Sequence, residues 1–287
     1  MVNNYNMCRQ KKNHRATFIL LCIIITLIVF LCIILIFKVF SGSNNKEQEQ
    51  ITTKVTTTAS QKTTKQNKEN DKEENQTNAN GYDYSLPVQV SEAVDNSYFD
   101  DAVFIGDSRT EGFMLYTGLS NATYYTHKGL MVNTVFTSPV INMNGQKVSV
   151  MDAVKLNSKF KKAYIMLGIN ELGWAYSNLF VEKYGNIIDT IKQSNPNAQI
   201  YIQSLIPVTY SKSSSDKVYN NNKIKEYNQL LQKLAQDKKV YYVNVAEGLA
   251  ESNGCIPEDS AFDGIHLKKP YCQKWLEYLK THTVKNN

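Results

Sequence analysis

The chain has 287 residues, a formal net charge of +6, a hydrophobic fraction of 42% and five scattered cysteines. A domain usually takes ~100–200 residues, so this is one domain with extensions or two small ones, and the composition excludes a wholly disordered, collagenous or disulfide-stapled chain. Divided by region, the charge is +5 over residues 1–40, −1 over 41–87 and +2 over 88–287, so the folded part carries no basic footprint and no nucleic-acid partner is expected.

Residues 16–37 form an uncharged run of 22 residues without Gly or Pro. As a helix rising 1.5 Å per residue it would span ~33 Å, enough for ~30 Å of hydrocarbon. A signal peptide would have a shorter apolar core of ~7–15 residues. The run therefore reads as a retained single-pass membrane anchor. Arg9, Lys11, Lys12 and Arg15 flank one end and Lys38 alone flanks the other. That bias assigns residues 1–15 to the cytoplasm and everything after Ser41 to the extracytoplasmic side. Residues 41–87 are Thr, Lys, Gln, Asn and Glu with few large apolar side chains. Such a segment buries too little surface to offset its ordering entropy, which predicts a disordered linker with a span of roughly 35–40 Å.

From residue 88 onward, short β-branched and aromatic runs recur at Ala102–Ile105, Ala122–Tyr125, Ala163–Leu167, Gln199–Ile202 and Val240–Val245. Between them, Val181, Tyr184, Ile187, Ile188 and Ile191 follow helical spacing, as do Ile224, Tyr227, Leu230, Leu231 and Leu234. A last helix is expected from about Pro270, presenting Trp275, Tyr278 and Leu279. Continuous apolar strands alternating with amphipathic helices predict an α/β domain, with three α/β/α layers around a parallel sheet. Asn144-Gly145, between the short runs of 140–150, predicts a β-hairpin insertion. Ligands in open α/β sheets bind at the carboxyl ends of the strands, so the loops that follow the strands are where the chemistry is expected.

The first such loop is Gly106-Asp107-Ser108-Arg109. A strand running into this turn and then a helix presents the Ser108 hydroxyl beside free N–H groups and a positive dipole end, which suits a nucleophile whose attack creates an oxyanion. Ser108-x-x-Glu111 is equally a helix capping box. A serine nucleophile needs a base, normally His. His14 precedes the anchor, His282 lies in an expected frayed tail, and His127 follows the second strand. His266 alone has a carboxylate, Asp263, three residues earlier in a compact loop; the plain alternative is a surface turn ahead of the last helix. Asn170, in Gly168-Ile169-Asn170-Glu171 after the third strand, could donate to an oxyanion, and Gly129 after the second strand could add a backbone N–H. Either could also be an ordinary turn residue. No metal-ligand cluster, Walker loop or G-x-G-x-x-G is visible, so no cofactor is expected.

Together these blocks resemble the SGNH, or GDSL-type, hydrolase family over residues 88–287. Gly106-Asp107-Ser108 matches its nucleophile block, Gly129 its second-block glycine, Gly168-Ile169-Asn170-Glu171 its G-x-N-D block and Asp263-Gly264-Ile265-His266 its D-x-x-H block, all in family order. Arg109 stands where Leu is usual, and Glu171 where Asp is usual. The resemblance implies a flavodoxin-like sheet and catalysis by Ser108, Asp263 and His266. It implies an oxyanion hole made of the Ser108 and Gly129 N–H groups and the Asn170 side chain. The implied chemistry is acyl transfer through an acyl-serine, and the outward-facing tether directs it to O-acyl groups of wall or extracellular polysaccharide. The alternatives are an O-acetyltransferase, a hydrolase of lysolipids or small esters, and a non-catalytic surface module. Trp174 and Tyr176 could stack on a sugar ring or pack in the core. Cys255 and Cys272, seventeen positions apart around the Asp263–His266 loop, could form a disulfide in an oxidising compartment or remain buried thiols.

Overall fold

The computed structural model describes residues 82–157 and 159–285. The expected anchor 16–37, its expected cytoplasmic flank and residues 41–81 of the expected linker lie outside the described residues. Among the described residues no helix is long and apolar enough to cross a membrane.

Five parallel strands make the central sheet: β1 (Ala102–Gly106), β2 (Thr123–Thr126), β5 (Lys162–Met166), β6 (Gln199–Gln203) and β7 (Tyr241–Val243), in the order β2-β1-β5-β6-β7. The two remaining strands, β3 (Ile141–Met143) and β4 (Gln146–Val148), form the expected antiparallel hairpin. Its turn residues Asn144 and Gly145 have φ of 52° and 83°. Both central positions of a type I′ turn need positive φ, which is why Asn-Gly reads so clearly there.

Every residue of β1 and β5 is buried, so both sheet faces must be covered. Helices α1 (Ser108–Thr117), α6 (Val245–Leu249) and α7 (Lys269–Lys280) pack together as one group. Helices α2 (Val150–Leu156), α3 (Ser177–Ser194) and α5 (Asn221–Lys238) pack as the other; α4 (Tyr210–Ser215) is a short helix after β6. The buried stripe of α3 begins at Phe180 rather than Val181, because Phe180 and Tyr184 stand one turn apart. Parallel register places one aromatic residue from each strand in a row, Tyr124, Phe104, Tyr164, Tyr201 and Tyr241, with neighbouring ring centroids 4.6–5.4 Å apart. Phe113 of α1 packs on Phe104 at 5.1 Å and on Trp275 of α7 at 4.6 Å.

Two expectations are corrected at the ends of the domain. The linker stops before residue 87: Tyr82 and Tyr84 pack on Tyr241 at 4.8 and 5.4 Å, and Gln232 donates to the Ser85 carbonyl. Two aromatic rings give this polar segment enough to bury. His282 is not in a frayed tail either. It is buried, stacks on Tyr278 at 3.7 Å and donates from Nδ1 to the Tyr278 carbonyl at 2.8 Å.

Candidate active site

The strand order reverses between β1 and β5, the neighbours from which the chain departs in opposite directions, and this is where an open α/β sheet forms its crevice. Ser108 leaves β1 there. Gly106 closes the turn: a Cβ on it would lie 2.0 Å from Thr110 Oγ1 and 2.7 Å from the Met166 carbonyl. Helix α1 is capped by Asp107, whose carboxylate accepts the Arg109 N–H at 2.9 Å. Ser108 is therefore the first helical residue and not the cap, which leaves its hydroxyl free. That hydroxyl lies 2.9 Å from His266 Nε2. His266 Nδ1 lies 2.7 Å from Asp263 Oδ2, while Asp263 Oδ1 accepts the backbone N–H groups of Ile265 and His266 at 3.0 and 2.8 Å. Burial on its own would raise the Asp263 carboxyl, but these N–H donors and the imidazole bring it down to about 2. Asp263 is thus ionised, and it fixes the His266 tautomer that presents a bare Nε2 to the serine. A hydroxyl, imidazole and carboxylate in this geometry can generate a nucleophile and return its proton to a leaving group.

The other expected residues fall as follows. Asn170 stands in the 3₁₀ turn after β5 and donates from Nδ2 to the Leu130 carbonyl at 3.0 Å, leaving its second amide hydrogen for another acceptor. Gly129 is exposed in the turn closed by the Leu130 N–H to His127 carbonyl bond at 3.0 Å, and that turn is joined to β1 by the His127 N–H to Gly106 carbonyl bond at 3.3 Å. The loops after β1, β2 and β5 are thereby tied together. His127 is exposed, and among the described residues its ring makes no hydrogen bond to Ser108. Trp174 packs partly against the core and Tyr176 is exposed; neither lines the groove at Ser108. The Cys255–Cys272 bond is not formed. Both are buried free thiols in separate settings, Cys255 beside the Asn221 amide at 3.2 Å and Cys272 directed at the Leu267 carbonyl at 3.8 Å. Burial pushes the Cys272 thiol up to about 12. Among the described residues no group of three His, Cys, Asp or Glu is placed to hold a metal ion.

Two residues have roles that the sequence did not disclose. Arg109 is buried and donates to three backbone carbonyls: Nη1 to Ile206 at 2.7 Å, Nη2 to Pro207 at 3.1 Å and Nε to Ile265 at 3.2 Å. It ties the helix that begins at Ser108 to the loop after β6 and to the residue beside His266. Glu171 is fully buried; Oε1 accepts the Val132 N–H at 2.7 Å, and Oε2 has no partner among the described residues. Burial pushes its carboxyl up to about 8, with a further rise from Asp107. Burial likewise pushes Asp107 up to about 6, against the Arg109 N–H and charge that lower it. Asn170 and Glu171 together hold the loop that carries Gly129. Two polar side chains adjacent at a strand end are the one sequence signal that could have shown such a role.

The model of the GDSL-like lipase/acylhydrolase family matches residues 104–270, from β1 into α7. Similar solved structures include a candidate platelet activating factor from Streptococcus pneumonia, 21% identical, with a TM-score of 0.52 over 64% of this chain and 89% of that one. A candidate GDSL-like lipase from Parabacteroides merdae is 14% identical, with a TM-score of 0.50 over 69% and 99%. Est24, a carbohydrate acetylesterase from Sinorhizobium meliloti, is 13% identical, with a TM-score of 0.45 over 62% and 96%. The first two share the fold. No curated protein matches the chain.

Proposed function

The chain belongs to the GDSL-like lipase/acylhydrolase family, and on that premise we propose that it is a serine esterase working through an acyl-serine on O-acyl groups of extracellular or wall polysaccharide. The observation that carries the reading is the Ser108 Oγ to His266 Nε2 contact at 2.9 Å, backed by Asp263 at 2.7 Å from Nδ1. In this mechanism His266 takes the Ser108 proton as Oγ attacks the ester carbonyl. The tetrahedral oxyanion is held by the Ser108 and Gly129 N–H groups and the free Asn170 amide hydrogen; one such donor is typically worth ~3–4 kcal/mol of barrier. His266 returns the proton to the leaving oxygen. Water, or a sugar hydroxyl if the enzyme is an acetyltransferase, then takes the acyl group from Ser108.

The substrate class rests on placement. The uncharged run 16–37, with its basic flank at residues 9–15, supports a membrane anchor with the catalytic domain outside, within reach of extracellular polymer. Two experiments test the proposal. Full-length protein should release acetate from an acetyl ester, and Ser108→Ala should lose at least ~10³-fold while remaining folded. Acetyl appearing on an added oligosaccharide instead of as free acetate would identify a transferase. Protease added to intact cells should cut between residues 41 and 81 and release the domain; cleavage only after lysis would reverse the topology.

A further inference from the structure

A groove opens directly beside the Ser108–His266 pair. It has a volume of about 170 Å³ and is lined by Glu111, Leu115 and Tyr116 from α1 and by Phe262 from the loop before Asp263. Positions 108, 111, 115 and 116 recur at helical spacing, so they share the face of α1 that carries the nucleophile. Phe262 is 65% exposed and Leu115 64% exposed. The Tyr116 and Phe262 rings stand 6.4 Å apart at 44°. Phe262 is held in place by its backbone N–H donating to the His266 carbonyl at 2.9 Å and by the Ala261–Leu267 bridge. The Glu111 carboxylate has no hydrogen-bond or ion-pair partner among the described residues, and with Asp107 as the cap it is not needed to close the helix N-terminus.

The chemistry decides which part of the substrate this groove receives. As the ester C–O bond breaks, the proton on His266 Nε2 passes to the leaving oxygen and the acyl carbon stays on Ser108 Oγ. The leaving alcohol must therefore lie against His266, and His266 lines the groove. Gly129 and Asn170, from the loops after β2 and β5, do not line it. The groove offers room beside His266 for a single ring or a short chain. Two aromatic faces suit the C–H face of a ring, and an unpaired carboxylate suits hydroxyl donors while repelling phosphate or a fatty-acid carboxylate.

We infer that this groove is the leaving-group subsite and that it binds one pyranose ring, stacked on Phe262 and Tyr116 and hydrogen-bonded by Glu111. The inference rests on the esterase reading above and names the alcohol half of its substrate.

The test separates the two. Unacetylated cellotetraose and chitotetraose are titrated into full-length Ser108→Ala protein, with and without Phe262→Ala, Phe262→Trp or Glu111→Gln. One of the sugars is expected to bind, with affinity falling about fivefold to tenfold in Phe262→Ala and Glu111→Gln and holding in Phe262→Trp. In the Ser108 enzyme, Phe262→Ala should lower the ratio of kcat/KM for the O-acetylated tetrasaccharide to that for vinyl acetate by a similar factor. Absence of sugar binding, binding indifferent to Phe262, or tighter binding of 1-hexanol than of either sugar would overturn the subsite even if the esterase is active. Sugar binding that depends on Phe262 without any ester cleavage would instead overturn the esterase reading, and with it the leaving-group role, while leaving the pyranose site itself standing.

Discussion

Arg109→Met keeps the length and apolar stem of the side chain and deletes every donor of a buried guanidinium. Three carbonyls lose a charged partner, at Ile206, Pro207 and Ile265. Hydrogen bonds to charged groups contribute ~1.5–3 kcal/mol each, so the gross loss is roughly 4.5–9 kcal/mol. Against this, burying the cation was itself costly; desolvation brings the Arg109 guanidinium down to about 10. Removing a buried ion relieves a penalty of several kcal/mol. The net expectation is a loss of about 3 kcal/mol, with Arg109→Lys intermediate because one ammonium cannot reach three divergent carbonyls. Urea unfolding of the full-length protein, followed by Trp fluorescence, measures the change from the midpoint at unchanged m. The Ile265 carbonyl adjoins His266, so kcat should also fall by ~10–100-fold, with a smaller change in KM, as the base drifts from Ser108. A Met variant with an unchanged or raised midpoint and normal kcat would refute the reasoning, because it would show that the guanidinium holds nothing together.

His266→Ala should be nearly inactive and His127→Ala nearly normal when initial rates on an acetyl ester are compared; the reverse would move the base to the second loop. Glu171 has a folded-state value of about 8 against an ordinary 4.5, so between these limits the folded chain keeps a proton that the unfolded chain releases. The contribution of Glu171 to stability should be full below pH 4.5 and fall as the pH rises toward 8. Urea midpoints at pH 6.5 and 8 should show this slope in the wild type and a flatter one in Glu171→Gln; equal slopes would mean that the carboxyl is ionised when folded. Cys255 and Cys272 should both react with a thiol reagent in denaturant without reductant, as mass spectrometry would show; one disulfide in their place would contradict their separate settings.

The central fold was legible because a parallel sheet buried on both faces demands unbroken apolar strands, and runs such as Ala102–Ile105 and Ala163–Leu167 have no competing reading. The Ser108 and Asp263–His266 blocks were legible because each stands in a short segment of its own, one directly after β1 and one ahead of the last helix. The role of Arg109 was not, since its acceptors are main-chain carbonyls 97, 98 and 156 positions away, and a carbonyl leaves no mark in a sequence. Glu111 looked like half of a capping box. Only the observed cap at Asp107 frees both Ser108 and Glu111 for other work. The pairing of Cys255 with Cys272 failed because closeness along the chain does not orient two side chains toward each other.

The chain that enters the domain at Tyr82 also settles how the sheet ends. Strand β7 is an edge, and an edge offers a row of unpaired backbone groups to any passing strand. Here Val88 donates to the Tyr242 carbonyl at 2.8 Å, and Tyr82 and Tyr84 lie across Tyr241, extending the row of rings past the last strand. A chain that starts at residue 88, where the composition changes, would keep every residue of the Ser108 site and lose the Tyr82 and Tyr84 rings that cover Tyr241. Such a fragment should be active yet prone to self-association through β7, while one cut at residue 81 should stay monomeric at the same concentration.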